Sequence, residues 1–267
     1  MKKECGCPVT VLYDDFMKKF KKGWEKAENT NKKCELSQFA GRISEKVFKK
    51  LEKDTKTKDE IGRGTVKELS VLFADIRGFT TRTADMSPDK IVTLLDLFIP
   101  EMLNIIMERH KGMIDKLLGD GIMALFGHPY QTGNETIQAI YSAVDMQQAA
   151  AAMGTVLKLM DYEPIEIGVG INTGPVLLCQ VGGKNYKETT VIGAPVNLAA
   201  KMEDIALSHE IVLPENSVLI VEKQKPELME YFEKKPERKH GVDAYNFDWI
   251  KFLNEKHNQE KDWAIIK

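Results

Sequence analysis

The sequence predicts an α+β domain that follows a helical extension. Short apolar runs bounded by glycine or proline are typical of strands, and they alternate with longer segments whose apolar residues recur at helical spacing. A Gly119-Asp120-Gly121 turn between two apolar runs indicates a hairpin. With 267 residues, 43% of them apolar, the chain is long enough for one large domain or a domain with an appendage.

Composition excludes several classes of protein. The net charge of −2 argues against bulk nucleic-acid binding, which usually requires a basic excess. The sequence contains no run of 18 apolar residues, so no membrane span is predicted, and the first residues lack the apolar region of a secretory signal. Four cysteines are too few for a disulfide scaffold of this size. A reduced, cytoplasmic protein is the expectation.

Residues 1–64 read as a helical, lysine-rich extension that ends in a linker. Leu12, Phe16 and Phe20 recur at four-residue spacing, and a charged run leads into glycines near residue 64. The lysine-rich faces are expected to be solvated, to pair with a second copy, or to dock on an acidic partner. The cysteines of this segment lack a nearby histidine, so free thiols fit them better than structural zinc. These cysteines are Cys5, Cys7 and Cys34.

The domain over residues 65–250 begins with a strand, a helix and a hairpin. Residues 69–74 form an apolar run typical of a buried strand. Ser87 and Pro88 suit the start of a long helix, the first as N-cap and the second in the first turn. Residues 112–117 and 122–126 are the predicted strands of the hairpin.

The second half of the domain repeats this alternation. A helix is predicted over 134–153, then two strands over 165–171 and 176–181 joined by a turn at 172–175. A strand over 189–192 and a helix from Pro195 to about residue 207 follow. The order of elements is that of a ferredoxin-like β-α-β-β-α-β unit. Residues 251–267 are left as a C-terminal tail.

Two acidic residues at strand ends are the strongest chemical signal. Asp75 closes the first strand and Asp120 lies in the hairpin turn, each next to or near a glycine. Two carboxylates that converge from neighbouring strands form a hard oxygen site suited to Mg²⁺ or Mn²⁺. Either aspartate alone would more often be only a turn former.

Four motifs in order resemble those of the class III nucleotide cyclases. They are FADIRGFT over 73–80, DKLLGDGIMALFG over 115–127, GVGINTG over 168–174 and TVIGAPVNLAAKME over 190–203. Each motif alone is weak, but four in the family's order are specific. The resemblance covers about residues 65–250. It implies the ferredoxin-like core of a class III cyclase and a phosphorus–oxygen lyase activity.

The resemblance implies how metal and phosphate are held. Asp75, Asp120 and the Ile76 carbonyl would bind two divalent cations, Mg²⁺ or Mn²⁺. Backbone N–H groups of residues 76–80, among them Gly78, Phe79 and Thr80, would cradle the triphosphate. Arg77 is as well suited to a structural ion pair as to a phosphate contact.

The resemblance also implies how the nucleoside is recognised. Lys116 and Thr190 match the pair that reads the base and fit adenine, so ATP is the expected substrate and cyclic AMP the product. Asn197 matches the residue that orients the ribose. Lys201 stands where the family normally has the arginine that stabilises the transition state. Lysine keeps the charge but lacks the planar fork.

The resemblance implies a homodimer, because each active site in the family lies between two cyclase domains and this chain carries both sets of residues. Thr190 resembles the subgroup in which some members respond to bicarbonate, so regulation by bicarbonate is an option. An attenuated nucleotide-binding module, favoured by Lys201, and a guanylyl cyclase are the alternatives. A diguanylate cyclase would need glycine and acidic motifs that the sequence lacks.

Overall fold

The computed structural model describes Arg42 and residues 64–182, 187–237 and 239–256. The predicted extension, apart from Arg42 and Gly64, lies outside the described residues, as do its three cysteines and residues 257–267. The domain boundaries at 64 and 250 therefore remain predictions. No helix in the described ranges is long and apolar enough to cross a membrane.

Eight strands of the described chain form one sheet. They are β1 (Thr65–Ile76), β2 (Met113–Leu118), β3 (Gly121–Phe126), β4 (Ile167–Gly182), β5 (Lys187–Ile192), β6 (Ile211–Pro214), β7 (Phe232–Lys234) and β8 (Ala244–Phe247). The strand order is β2-β3-β1-β4-β6-β8-β7, and β5 pairs with the end of β4. All pairs are antiparallel except β4 with β6.

Five α-helices connect these strands. They are α1 (Phe79–Thr83), α2 (Pro88–Asn104), α3 (Glu135–Leu159), α4 (Ala194–Ile205) and α5 (Glu215–Gln224). A π-helical turn, Ile105–Arg109, continues α2, and short 3₁₀ turns lie at Pro226–Tyr231 and Lys239–Gly241. Residues 249–256 are helical at the end of the described chain.

The first four strands confirm the predicted ferredoxin-like core. Strands β1 to β4 pair in the order β2-β3-β1-β4, and α2 and α3 make the two crossings. Alternate residues of β1 enter two cores: Leu72 and Ala74 join the large cluster with α2 and α3, whereas Leu69 and Val71 join a second cluster on the opposite face. The sheet therefore contributes buried apolar residues from both of its faces.

Strand β4 corrects one prediction. The sequence suggested two strands joined by a turn at 172–175, but residues Ile167–Gly182 form one strand that pairs with β1 along most of its length. Pro175 is tolerated because it lies between the β4 residues that pair with β6 and those that pair with β5, where no strand of the described chain pairs with that edge. The buried Asn172 side chain is satisfied by Ser217 at 2.9 Å and Asn216 at 2.8 Å.

One helix start and one helix end differ in detail from the prediction. Ser87 occupies the N-cap position of α2, but its side chain makes no capping hydrogen bond; its carbonyl accepts from Lys90 at 3.0 Å instead. Helix α3 runs to Leu159, beyond the predicted end at residue 153, because apolar residues of that last stretch, such as Leu157, are still buried. Burial of apolar side chains therefore stabilises the last turns of α3.

Candidate active site

The two predicted metal-binding aspartates lie side by side. Asp75 is the penultimate residue of β1, and Asp120 lies in the turn between β2 and β3. Strand β3 pairs directly with β1, so the two residues lie on neighbouring strands. Asp75 Oδ1 is only 3.3 Å from where a Cβ on Gly121 would stand. Burial, together with the hydrogen bond and charge of Asp75, raises the pKa of Asp120 to about 7.

An oxygen-ligated cation fits this carboxylate pair. Asp120 Oδ2 is buried and has no hydrogen-bond partner among the described residues, which is costly for a polar oxygen, above all when the carboxyl group is ionised. A divalent cation would give that oxygen a partner and relieve the repulsion between the two carboxylates. The described ranges contain no cluster of three or more His, Cys, Asp or Glu side chains that could hold a metal. Backbone or ligand oxygens would have to complete the coordination.

In the turn after β1, Arg77 makes structural contacts, whereas the residues that follow it are more accessible. Arg77 forms an ion pair with Glu203 of α4, and its backbone N–H donates to the Glu166 carbonyl at 2.8 Å. It therefore serves as a structural residue, and its N–H is not free for a phosphate. Gly78 has the left-handed φ of 68° and starts α1. The Phe79 side chain packs on the large core, while Thr80 is exposed.

The predicted base-reading residues Lys116 and Thr190 meet at a third residue, Asp115. Thr190 Oγ1 donates to Asp115 Oδ2 at 2.9 Å, although β2 and β5 are not paired in the sheet. Lys116 Nζ lies 3.5 Å from the same oxygen and 3.7 Å from Glu188 Oε1. The structure thus brings this pair together around a carboxylate that sequence reasoning did not single out.

Asp115 is a buried acid with cationic neighbours. Its side chain is 0% exposed, and it falls where the register between β2 and β3 shifts, at a β-bulge. Burial raises its pKa, while the Thr190 hydrogen bond and the charges of Arg42 and Lys116 oppose that rise. A charged residue directly before Lys116 was the available sequence signal, but only the bulge shows that its side chain turns inward.

Arg42 reaches this cluster from outside the cyclase-like motifs. Its Nη2 lies 3.1 Å from Asp115 Oδ1, its Nη1 donates to the Thr189 carbonyl at 3.0 Å, and its Nε donates to the Ile114 carbonyl at 2.8 Å. The Ile114 N–H in turn donates to the Arg42 carbonyl at 2.8 Å. One guanidinium therefore ties β2 to β5 beside the predicted base-reading residues.

Asn197 and Lys201 are both exposed on α4. They are four residues apart and so lie on one face of the helix. Within the described part of the chain neither side chain makes a hydrogen bond or an ion pair. Both side chains are therefore accessible to a ligand or to a second protein chain.

Helix α4 lies unusually close to β4. A Cβ on Gly170 would stand 2.0 Å from the Glu203 backbone nitrogen and 2.5 Å from the Ala199 carbonyl oxygen. A Cβ on Gly174 would stand 2.9 Å from the Pro195 ring. The glycines of the 168–174 motif therefore allow close packing of the helix that carries Asn197 and Lys201.

Comparison with known proteins adds an independent observation. The sequence model of the adenylate and guanylate cyclase catalytic domain matches residues 62–245. An adenylate cyclase of Anabaena cylindrica is 34% identical over 154 residues, which are 56% of this chain and 30% of that protein. The terminal-differentiation-specific adenylate cyclase of Dictyostelium discoideum is 32% identical over 150 residues, 56% of this chain and 7% of that protein. The chain thus spans less than a third of either relative.

Solved structures of both nucleotide specificities share the fold. The guanylyl cyclase Cya2 superposes with a TM-score of 0.62 at 26% identity, covering 69% of this chain and 93% of that one. The adenylyl cyclase CyaB from P. aeruginosa superposes with a TM-score of 0.62 at 25% identity, covering 69% and 95%. The similarity in fold therefore does not distinguish adenine from guanine.

Proposed function

Since the chain belongs to the family of adenylate and guanylate cyclase catalytic domains, we propose that it is an adenylyl cyclase that converts ATP to 3′,5′-cyclic AMP and pyrophosphate. The ribose 3′ oxygen bonds to the α-phosphorus as the bond from that phosphorus to pyrophosphate breaks, and the hydroxyl proton is released. Positioning and charge neutralisation supply most of the acceleration in such reactions.

Asp75 and Asp120, with the Ile76 carbonyl, would hold the divalent cations. Bound there, two Mg²⁺ or Mn²⁺ ions would supply charge neutralisation and lower the pKa of the attacking hydroxyl. The buried, unpartnered Asp120 oxygen and the raised pKa of its carboxyl support this role. The backbone N–H groups of Gly78, Phe79 and Thr80 lie just beyond these carboxylates, and the first N–H groups of a helix have no acceptor within it. They would receive the phosphate oxygens.

Recognition of adenine is supported most directly by the meeting of Lys116 and Thr190 at Asp115. Lys116 would donate to adenine N1, and the Thr190 hydroxyl oxygen would accept from the exocyclic amine. Asn197 would orient the ribose, and Lys201 would place a positive charge near the phosphate in the transition state.

A homodimer with two shared sites would complete this arrangement. Asn197 and Lys201 are exposed and face no partner within the described part of their own chain. Exposed apolar side chains border the predicted base-reading residues: Leu117 (47%), Leu118 (54%), Leu177 (39%) and Ile192 (50%). Apolar surface next to an incomplete site is what a symmetric interface would cover.

Product analysis tests the proposed activity. The purified full chain is incubated with ATP or GTP and with Mg²⁺ or Mn²⁺, and cyclic nucleotides are quantified by mass spectrometry at known oligomeric state. We expect cyclic AMP to form faster than cyclic GMP. Faster cyclic GMP would identify a guanylyl cyclase, and nucleotide binding without either product would favour an attenuated regulatory module. Parallel assays with bicarbonate test regulation by that ion.

A further inference from the structure

The buried carboxylate of Asp115 controls which way the Thr190 hydrogen bond runs. An ionised carboxylate carries no hydrogen, so in the 2.9 Å contact Thr190 Oγ1 must donate and Asp115 Oδ2 must accept. A hydroxyl has a single hydrogen, and this contact uses it. Towards any other molecule Thr190 can then offer only lone pairs.

Burial raises the pKa of Asp115, and its hydrogen-bonding and cationic neighbours oppose that rise in favour of the ionised form. Arg42 Nη2 lies 3.1 Å from one carboxylate oxygen, and Lys116 Nζ lies 3.5 Å from the other. The Asp115 side chain is fully buried, so a water molecule cannot readily take the place of Thr190. The bulge at this position holds the carboxylate between β2 and β5.

Hydrogen-bond polarity at Thr190 distinguishes the purines at position 6. Adenine carries an amine there, which donates, and its N1 accepts. A 6-oxo purine such as guanine or hypoxanthine carries an acceptor there, and its N1 bears a hydrogen. If the Thr190 hydroxyl accepts and Lys116 donates, adenine makes a hydrogen bond to each of them. A 6-oxo purine makes neither, because its carbonyl oxygen would face a lone pair of Thr190 and its N1 hydrogen would face a hydrogen of Lys116.

We propose that Asp115 is a specificity-determining positioning residue, which selects 6-amino over 6-oxo purine triphosphates by fixing the Thr190 hydroxyl as an acceptor. This inference rests on the proposed function and adds a cause for its substrate preference. Asp115 touches no nucleotide itself and acts through Thr190. Arg42 supports it by holding the charge and position of the carboxylate.

The Asp115→Asn variant tests the proposal. An asparagine amide can donate to Thr190, which frees the hydroxyl to donate to a 6-oxo group. Inosine triphosphate (ITP) is the matched comparison for ATP, because it differs only at position 6 and in the N1 hydrogen. We expect the ratio of kcat/KM for ATP to that for ITP to fall about 10-fold or more. Asp145→Asn, which removes a carboxylate paired with His110 at 2.9 Å, is the control and should leave the ratio unchanged.

Two further measurements separate positioning from a general structural effect. Purine riboside triphosphate has no group at position 6, so its kcat/KM should change far less than that of ATP in Asp115→Asn. In a Thr190→Val background, where no hydroxyl remains, Asp115→Asn should leave the ATP-to-ITP ratio unchanged. An equal loss with all three nucleotides, or an unchanged ratio in the single variant, would overturn the proposal. If Asp115→Asn does not fold, Asp115→Ala is measured in the same way.

Failure of the proposed function would look different. Wild-type protein that cyclises neither ATP nor GTP would contradict the proposed activity but would leave specificity measurable by binding. The 3′-deoxy forms of ATP and ITP cannot cyclise, and their dissociation constants can be compared by competition with a fluorescent nucleotide. A preference for 3′-deoxyATP that Asp115→Asn reduces supports the proposal, and a preference that Asp115→Asn leaves intact refutes it.

Discussion

Arg42 Nη2 lies 3.1 Å from Asp115 Oδ1 and 2.7 Å from the Asp115 carbonyl oxygen. A residue 31 positions before Phe73, where the first cyclase-like motif begins (73 − 42), is thereby fixed beside the proposed base-reading pair. Arg42, which belongs to the predicted extension, is therefore bonded directly to the proposed nucleotide site.

Removing the Arg42 guanidinium should weaken adenine nucleotide binding. Arg42→Gln leaves a buried carboxylate without its guanidinium partner and removes the link between β2 and β5, so we expect the KM for ATP to rise about 10-fold with a smaller change in kcat. Steady-state kinetics measure both parameters. Arg109→Gln, which breaks an exposed ion pair with Glu101 at 2.8 Å, is the control. Equal effects of the two variants would contradict a specific role for Arg42.

Loss of either proposed metal-binding aspartate should abolish turnover. Asp75→Ala and Asp120→Ala each remove half of the proposed cation site, and we expect cyclic AMP formation to fall below detection. Thermal unfolding with and without Mn²⁺ provides a second readout, because wild-type protein should be stabilised by the cation and the variants should not. Cyclic AMP production by either purified variant would be incompatible with the assignment.

Complementation tests the shared site. Asp75→Ala and Asn197→Ala protomers mixed in equal amounts should form heterodimers in about half of all dimers, each with one intact site and one doubly defective site. About a quarter of wild-type activity should therefore return. The measurement is cyclic AMP formation after mixing, unfolding and refolding together, with each variant refolded alone as the control. Activity that stays at the level of the separate variants would argue against sites built from two chains.

Arginine at position 201 should accelerate the reaction. Lys201 keeps a positive charge but donates as a point, whereas arginine offers a planar pair of donors to phosphate oxygens. We expect Lys201→Arg to raise kcat about 10-fold to 100-fold with little change in KM. Lys158→Arg, at an exposed site near the end of α3, is the matched control. If neither Lys201→Arg nor Lys201→Ala changes kcat, this side chain is only a solvated charge.

His128 should make the fold sensitive to acid. Burial, with the nearby charges of Lys67 and Arg42, lowers the pKa of His128 from 6.5 to about 3. Between these values the unfolded chain binds a proton that the folded chain does not, so the free energy of unfolding should decrease as the pH falls below about 6.5. The loss should be on the order of 2 kcal/mol at pH 5.

The measurement for His128 is urea unfolding at several pH values between 5 and 8. His128→Gln should flatten the dependence, whatever its effect on absolute stability, because glutamine does not titrate. His110→Gln, at a half-buried histidine paired with Asp145, is the comparison. The same slope in wild type and His128→Gln would assign the acid sensitivity to other groups.

The sequence predicted those parts of the fold whose signals are local. The apolar run around Leu72 and the Gly119-Asp120-Gly121 turn led to β1 and to the β2–β3 hairpin, and the four motifs led to the family. The two aspartates were also predicted to converge, because adjacent strands carry them. These inferences depend on nearest neighbours along the chain or across one strand pair.

The inferences that failed or were missed depend on distant partners. Residues 172–175 look like a turn, but Asn172 is satisfied by residues of α5 and the strand continues. Asp115 was overlooked because its partner Thr190 is 75 positions away, and because a bulge, which has no clear sequence signature here, directs its side chain inward. Neither contact could be read from spacing alone.

The contact between Gly170 and α4 fixes how far this helix stands from the sheet without involving any polar side chain. Even a methyl group at position 170 would push α4 away from the sheet, and the side chains of residues 197 and 201 would move outward with the helix. The distance between the sheet and the face of α4 that would meet a second subunit in the proposed dimer is thus set by a single backbone contact on the opposite side of that helix.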